Sequence, residues 1–229
     1  MADTDNAVLF GTSSKFGTLT GWNPEDPTIN ETSQVARTTN GTADITDAKA
    51  YDTTTETTQG FTAASTTAPT VPATLGTLMG GKLVTKISIK TSATDYAKMD
   101  ITGHNHASNP HESDGTKNTL THGITLSSGF GAQNFLASTL GDACDVESSD
   151  VDITIQHRDI VTGANGNHYK GQNFQGLITC KQVFRGVPTT IADSSWKIVS
   201  AKQTGEKKDD YVTFTVTAEK WVAMTVPTP

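Results

Sequence analysis

Residues 194–221 have the sequence SSWKIVSAKQTGEKKDDYVTFTVTAEKW, and this stretch decides the fold of the chain. From Val212 to Ala218 apolar side chains alternate with threonines, the pattern of a strand that is buried on one face only. A second alternating run begins at Trp196, and the polar sequence GEKKDD, residues 205–210, separates the two runs. Two alternating runs joined by a polar turn predict a β-hairpin with a solvated tip.

A second stretch of the chain, residues 81–106, has the same plan and the sequence GKLVTKISIKTSATDYAKMDITGHNH. In its second run Met99 and Ile101 correspond to Phe214 and Val216 of the first hairpin. The chain therefore contains this hairpin twice.

Similar sequence also precedes each hairpin. Residues 31–72 match residues 147–188 at a constant spacing of 116 residues, and Gln59 then matches Gln175. Because the elements recur in the same order, we interpret the chain as an internal duplication of about 30–106 onto 147–221.

Each repeat of about 75 residues would have one apolar sheet face with nothing to cover it, and two such sheets packed face to face bury both. We therefore predict an all-β fold with one short helix, a β-sandwich or flattened barrel with pseudo-twofold internal duplication. Residues 30–229 form its single domain, with repeat 1 at about 30–106, a loop, strand and helix at 107–146, and repeat 2 at about 147–221.

Further strands are predicted from short alternating or apolar runs bounded by turn residues. The Asn40-Gly41 turn separates the first two strands of repeat 1, whereas residues 66–81 are predicted to be a loop. The predicted strands are 33–39, 43–51, 54–65, 119–127, 149–157 and 175–184. The one helix is expected within SSGFGAQNFLASTLGDA, residues 127–143, where Gly141 would end it.

Residues 1–29 are predicted to be an extended N-terminal arm, because glycines and prolines interrupt the segment. A disordered tail is the simpler interpretation, but disordered segments contain few aromatic residues. This arm contains Phe10, Phe16 and Trp22. We expect the three rings to dock on the sandwich or on a neighbouring subunit, and we take them as candidate oligomerisation residues.

The composition excludes some classes of function. With a net charge of −7 and only 18% charged residues, the chain lacks the basic clusters that bind nucleic acid through phosphate contacts. An acidic surface is compatible with DNA that slides past without binding. No signal peptide and no apolar run of membrane-spanning length is found in the sequence. Cys144 and Cys180 are expected to be free thiols, as in a reducing cytoplasm.

Four of the six histidines, His104, His106, His111 and His122, fall within nineteen residues. His-x-His on a strand directs both rings to one face, which is a workable geometry for two zinc ligands. The alternative is that a polar loop uses histidine among its other polar residues. No third ligand occurs at a defined spacing, so we assign no metal site.

Motifs for catalysis are missing from the sequence. It contains no G-x-S-x-G nucleophile motif, no Walker A loop and no dinucleotide-binding fingerprint. We therefore expect no catalytic residues, no cofactor and no enzymatic activity.

The sequence resembles the phage tail tube proteins and the related tube-forming proteins of contractile injection systems. The resemblance rests on ETSQVARTT at residues 31–39, on TKISIKTSATDYAKMDITGH at residues 85–104 and on the closing hairpin at 196–221. It implies a virion structural protein that assembles in the host cytoplasm into stacked homohexameric rings. It further implies contacts with other tail proteins, and DNA only as non-specific passing cargo. The N-terminal arm and the loops at 40–59 and 104–118 would connect the rings.

Other functions stay open at this point. A capsid decoration protein, a carbohydrate-binding module, a head–tail connector or a tail terminator would also suit a threonine-rich β-sandwich. Carbohydrate platforms need exposed tryptophan or tyrosine rings. The three tryptophans are Trp22, Trp196 and Trp221, so their exposure would discriminate between these functions.

Overall fold

The computed structural model describes residues 13–40, 42–106, 118–136, 144–162, 167–186, 195–208 and 211–225. These ranges form an all-β structure without a helix. The strands are β1 (Trp22–Thr39), β2 (Ile45–Ala63), β3 (Thr74–Leu75), β4 (Leu78–Met79), β5 (Lys82–Ser92), β6 (Lys98–His106), β7 (Leu120–Thr121), β8 (Cys144–Thr162), β9 (Asn167–Gly186), β10 (Lys197–Lys208) and β11 (Tyr211–Val222).

One large antiparallel sheet contains nearly all of these strands, in the order β1-β2-β6-β5-β8-β9-β11-β10. The short strand β4 pairs with β5 beside this path, and β3 and β7 form a separate pair. Both hairpins predicted from the sequence are present as β5–β6 and β10–β11. The strand pair β8–β9 also forms as an antiparallel hairpin, in which Thr162 lies opposite Asn167.

The strand order is the same in the two halves of this sheet. In the first half the sequence of strands β1, β2, β5, β6 is arranged as β1-β2-β6-β5, and in the second half β8, β9, β10, β11 are arranged as β8-β9-β11-β10. In both halves the order is thus first, second, fourth, third. The halves meet edge to edge through the antiparallel pair β5·β8.

Irregularities in strand pairing also recur. Gln59 of β2 lies opposite Ile101 of β6, and Gln182 of β9 lies opposite Val216 of β11. Measured from these two glutamines, the three register shifts of β1–β2 fall within one residue of the three register shifts of β8–β9. The shifts follow Pro24, Thr32 and Thr38 in β1, and Val146, Ile155 and Ile160 in β8.

The closing hairpins share an irregularity in the same way. A register shift follows Val84, which lies opposite Gly103, and another follows Ile198, which lies opposite Ala218. Since a bulge bends and twists a strand, bulges at matching places give the two halves the same local curvature.

The apolar side chains of both halves meet in a single core. Apolar and polar residues alternate along β6, β8, β9 and β11, so one face of each of these strands is buried. Its fully buried large members are Phe16, Phe61, Phe184, Leu75, Ile87, Ile89, Met99, Ile101, Leu120, Leu136 and Ile153.

The predicted helix at 127–143 is not found in its described part, residues 127–136, which consist of bends and an isolated bridge between Tyr96 and Phe130. The physical reason is that side chains of the sheet bind this backbone. The backbone N–H of Gln133 donates to Thr91, and its carbonyl accepts from Ser149 and Gln182. These groups are therefore not free to form the hydrogen-bond ladder of a helix. Residues 137–143 lie outside the described ranges.

Several predicted boundaries differ from the observed ones. Strand β1 begins at Trp22, inside the segment predicted to be an arm, and the strand predicted at 119–127 is restricted to Leu120–Thr121. The predicted loop 66–81 contains the short strands β3 and β4. The predicted strands 43–51 and 54–65 are one continuous strand, β2.

Candidate functional site

The contact between the two halves is an edge-to-edge joint between β5 and β8. Its antiparallel register runs from Lys86 opposite Thr154 to Ser92 opposite Ser148. On one face of the joint, four buried apolar side chains come together in two opposing pairs, Ile87 with Ile153 and Ile89 with Val151.

The other face of the same joint is polar. The Ser88 hydroxyl donates to Asp152 Oδ1 at 2.5 Å, and Lys86 Nζ lies 3.3 Å from the same oxygen. The lysine and the aspartate are both about half exposed, so this ion pair contributes little to stability. Backbone pairing and the apolar face therefore hold the joint, while the polar face fixes its register.

The outermost strands of the sheet are β1 and β10. In the described part of the chain β1 pairs with β2 alone, and β10 pairs with β11 alone. Along β1 only Trp22 is buried, while Pro27 and Ile29 are half-buried and the remaining side chains are exposed. Between Lys197 and Gln203 of β10, every side chain except that of Ile198 is exposed. Both strands thus present a row of backbone N–H and C=O groups that can pair with another strand.

These two outer strands occupy the same positions in their halves as the two strands of the joint. Strand β10 is the third strand of its half, as β5 is, and β1 is the first strand of its half, as β8 is. The free edge of β10 corresponds to the edge of β5 that binds β8, and the free edge of β1 corresponds to the edge of β8 that binds β5. The chain therefore contains one complete joint, β5·β8, and its outer strands β10 and β1 correspond to the two strands of that joint.

Two of the three candidate oligomerisation residues, Phe16 and Trp22, are buried in the core of their own chain. Their side chains are 2% and 6% exposed, respectively. A Cβ atom on Gly103 would lie 2.8 Å from Cε1 of Phe16, so the glycine leaves room for the ring. The Trp22 indole Nε1 donates to the Thr70 carbonyl at 2.9 Å. The burial of these two rings needs no neighbouring subunit. Phe10 lies outside the described residues.

Sequence reasoning missed the role of two buried glutamines, Gln59 and Gln182. The Gln59 carboxamide accepts from the Lys15 backbone N–H at 2.7 Å and donates to the Glu25 carbonyl at 2.8 Å. Its counterpart Gln182 donates to the Gln133 carbonyl at 3.1 Å. Each glutamine therefore holds the segment that leads into the first strand of its half. The expected match of Gln59 with Gln175 is wrong in structural terms, because Gln182 has the corresponding cross-strand position.

A carboxylate is repeated beside these glutamines. Glu25 lies within the bulge that follows Pro24, and Glu147 lies within the bulge that follows Val146. Thr62 Oγ1 donates to Glu25 Oε1 at 2.5 Å, and Arg185 Nη2 lies 2.5 Å from Glu147 Oε1. The sequence signal that could have found this match is the Gln-x-Phe pattern at 59–61 and again at 182–184.

Both halves also extend as two-stranded ribbons past the body of the sheet. Strand β6 pairs with β2 only from Thr54 onward, so 33–39 and 45–53 pair with each other alone. In the second half the pairing of β9 with β11 begins at Gly176, which leaves 156–162 and 167–175 as the second ribbon. Val35 and Ile45 are exposed apolar residues on the first ribbon. Isolated two-stranded ribbons are only marginally stable in water, which makes these two suited to contact another surface.

The histidines do not form a ligand cluster in the described residues. His104 Nε2 lies 3.7 Å from Glu56 Oε2, while His122 is buried and uses both of its ring nitrogens. Nδ1 of His122 accepts from the Ile124 N–H, so Nε2 carries the proton and donates to the Pro72 carbonyl. His106 lies on β6, its side chain is not described, and His111 lies outside the described residues. No group of three or more potential ligands occurs in the part of the chain that the structure describes.

Burial shifts the pKa of two groups, Cys180 and His122. Burial raises the pKa of the Cys180 thiol to about 12, and the negative charge of Asp150 adds to this effect. Cys180 is a free thiol, as expected, whereas the side chain of Cys144 is not among those described. Burial lowers the pKa of His122, although its hydrogen bond to Pro72 opposes the change.

The tryptophans differ in exposure. Trp22 and Trp196 are buried, whereas the side chain of Trp221 is 63% exposed near the end of β11. One exposed tryptophan is therefore available as a contact surface.

No protein-family profile matches this chain, and no match is found among the curated proteins. None of the described segments is a helix with the length and apolarity needed to cross a membrane.

Proposed function

We propose that this chain is a virion structural protein that assembles into rings, as the tail tube proteins it resembles do. The observation that carries the proposal is the pair of open edges, β1 and β10, beside an internal joint that is built from the corresponding strands. Unpaired edges normally aggregate unless they are covered or closed into a ring. A contact between unlike edges is heterologous, and repeated heterologous contacts generate closed rings or filaments.

We also propose that the two halves arose by internal duplication and fold over each other as a sandwich or flattened barrel. The duplication is supported by the common strand order and by the bulges at matching positions. The sandwich is supported by the shared core, in which Phe61 and Met99 of the first half and Phe184 and Val216 of the second belong to one cluster.

In the proposed assembly each subunit has a structural role, which depends on its shape and on the pairing of its edge strands and involves no catalysis. The two ribbons, 33–39 with 45–53 and 156–162 with 167–175, would contact adjacent rings, because they extend from the sheet body as pairs of strands. The net charge of −7 suits a channel through which DNA passes without binding. The tail tube is the most specific form of this proposal, and other ring-forming parts of the virion have the same physical requirements.

The proposal is tested by the assembly state of the purified chain. Multi-angle light scattering over a range of protein concentrations should detect a defined oligomer above the monomer mass of 24.2 kDa. Negative-stain microscopy of the same sample should show rings, or tubes of stacked rings. A chain that stays monomeric at every concentration would contradict the proposal.

A carbohydrate-binding module is the second candidate, and the exposed ring of Trp221 favours it. In that case Trp221→Ala would abolish binding to polysaccharides while leaving any assembly intact. Failure of the unaltered chain to bind polysaccharides in affinity electrophoresis would eliminate this candidate.

A further inference from the structure

We infer that β10 of one subunit pairs antiparallel with β1 of a second copy of the chain, with Ser200 opposite Thr32 and Lys202 opposite Asn30. This inference rests on the proposed ring assembly and specifies its contact. It assigns the partner, the two strands and the register, all of which follow from the joint between β5 and β8.

The position of β10 follows from the closing hairpins. Ile101 of β6 lies opposite Ile87 of β5, and its counterpart Val216 of β11 lies opposite Ala201 of β10. Ala201 therefore takes the place of Ile87. One residue further along each strand, Lys202 takes the place of Ser88.

The position of β1 follows from its pairing with β2. Val151 of β8 lies opposite Cys180, two residues before Gln182, and Ile29 of β1 lies opposite Thr57, two residues before Gln59. Ile29 therefore takes the place of Val151. The next residue, Asn30, then takes the place of Asp152.

Combining the two correspondences gives the register between subunits. In the internal joint Ser88 lies opposite Asp152, so Lys202 is expected opposite Asn30. Lys86 lies opposite Thr154, which places Ser200 opposite Thr32. A single-residue slip would turn every side chain of one strand to the other face, so this register is specific.

Strand direction permits this pairing. The path from β1 to β10 contains eight strands, and each neighbouring pair along it is antiparallel. Strand β10 consequently runs opposite to β1. A second copy can continue the sheet without reversing any strand, and the new contact has the same antiparallel form as β5·β8.

The two edges also carry opposite charge. From Thr28 to Val35 the only charged residue of β1 is Glu31, whereas the facing part of β10, from Lys197 to Thr204, contains two lysines and no carboxylate. Opposite charge favours contact between unlike edges and disfavours contact between like edges. Pro24 and Pro27 have no N–H to donate, so they confine strand addition to the part of β1 that begins at Thr28.

Disulfide trapping between two different single-cysteine variants tests the inference. In a Cys144→Ser background, Asn30→Cys and Lys202→Cys chains are purified separately, mixed, allowed to assemble and oxidised mildly. The internal counterparts of these residues, Ser88 and Asp152, have side-chain oxygens 2.5 Å apart, so the two thiols should come within bonding reach. Because each chain contributes one new thiol, only a contact between subunits can join the two. The buried thiol of Cys180 remains in all variants.

The matched control replaces Asn30→Cys with Glu31→Cys, the next residue of β1, which points to the opposite face. We expect a covalent dimer from the 30/202 mixture and at least a tenfold lower yield from the 31/202 mixture. A double variant with both cysteines at 30 and 202 should form a ladder of covalent oligomers.

The remaining outcomes each overturn the inference, and they can be told apart. Rings without the 30/202 cross-link, or with equal yields at 30/202 and 31/202, would overturn the register alone and leave the proposed function standing. A disulfide within one chain of the double variant would show that β1 and β10 close on each other, which removes the free edges. A chain that stays monomeric would overturn both this inference and the proposed function.

Discussion

Gln59 and Gln182 occupy the same position in the two halves of the sheet, and each holds the segment that precedes the first strand of its half. Gln59 binds the backbone of Lys15 and Glu25, while Gln182 binds the backbone of Gln133. Both side chains are fully buried. Buried carboxamides of this kind give the fold specificity, because an alternative register would leave them without partners.

Replacing Gln182 with leucine should destabilise the chain. The substitution keeps the side-chain size but leaves the buried Ser149 hydroxyl and the Gln133 carbonyl with fewer partners, at a cost of about 1–3 kcal/mol. Urea unfolding followed by circular dichroism measures the change. Gln156→Leu is the matched control: the side chain of Gln156 is exposed on β8, so this substitution should change stability by less than about 0.5 kcal/mol. Equal effects of the two substitutions would show that the buried contacts of Gln182 contribute nothing.

Removal of the Phe16 ring should destabilise the subunit itself. Because this ring is buried in the core of its own chain, Phe16→Ala should cost about 3–5 kcal/mol of unfolding free energy. Trp221→Ala is the matched control, since that ring is mostly exposed, and it should have a small effect. For the same reason a chain that begins at Asn30 should be much less stable than the full chain. If that shortened chain unfolds at the same urea concentration as the full chain, the N-terminal segment does not contribute to the core.

The stability of the chain should fall in mild acid because of His122. Burial lowers its pKa in the folded chain below the ordinary histidine value of 6.5, so the unfolded chain takes up the proton first as the pH falls. The stability contributed by the neutral ring is complete above pH 6.5 and is lost progressively below it. Replacing His122 with glutamine should reduce the difference in unfolding free energy between pH 7.5 and 5.5. An identical difference in both chains would rule out His122 as the titrating group.

The thiol of Cys180 should be unreactive in the folded chain. Its pKa of about 12 keeps it protonated at neutral pH, and its burial excludes reagents. In a Cys144→Ser background, alkylation by iodoacetamide at pH 8 should be at least a hundredfold slower in buffer than in urea. Rapid alkylation of the folded chain would mean that the core around Cys180 opens readily.

The strands and the hairpins could be predicted from the sequence, but the pairing between strands that are distant along the chain could not. The hairpins β5–β6 and β10–β11 follow from alternation on both sides of a polar turn, which is a local signal. The register of the first strand of each repeat is misassigned in the sequence because alternation has a period of two. The sequence match of Glu31 with Glu147 differs by six residues from the structural match of Glu25 with Glu147, and an even shift leaves the apolar pattern unchanged.

The part of the predicted helix that the structure describes, residues 127–136, is not helical for a different reason. The apolar spacing at 130–136 suits a helix, but the local backbone groups are bound by Thr91, Ser149 and Gln182 from distant strands. Such tertiary contacts override local propensity and have no local signal. The burial of Phe16 was equally hidden, because it depends on the absence of a side chain at Gly103.

The most direct test of head-to-tail assembly is the size of the oligomers formed by three chains, measured by light scattering. Asn30→Lys would place a lysine opposite Lys202, and like charges in directly opposed positions weaken each contact by up to about 1 kcal/mol, roughly fivefold in the association constant. Adding Lys202→Asp to the same chain replaces the repulsion with a pair of opposite charges. We predict large assemblies from the unaltered chain, weaker assembly of Asn30→Lys, and recovery in the double variant. Assembly that is equal in all three chains, or absent from the unaltered chain, would contradict the account.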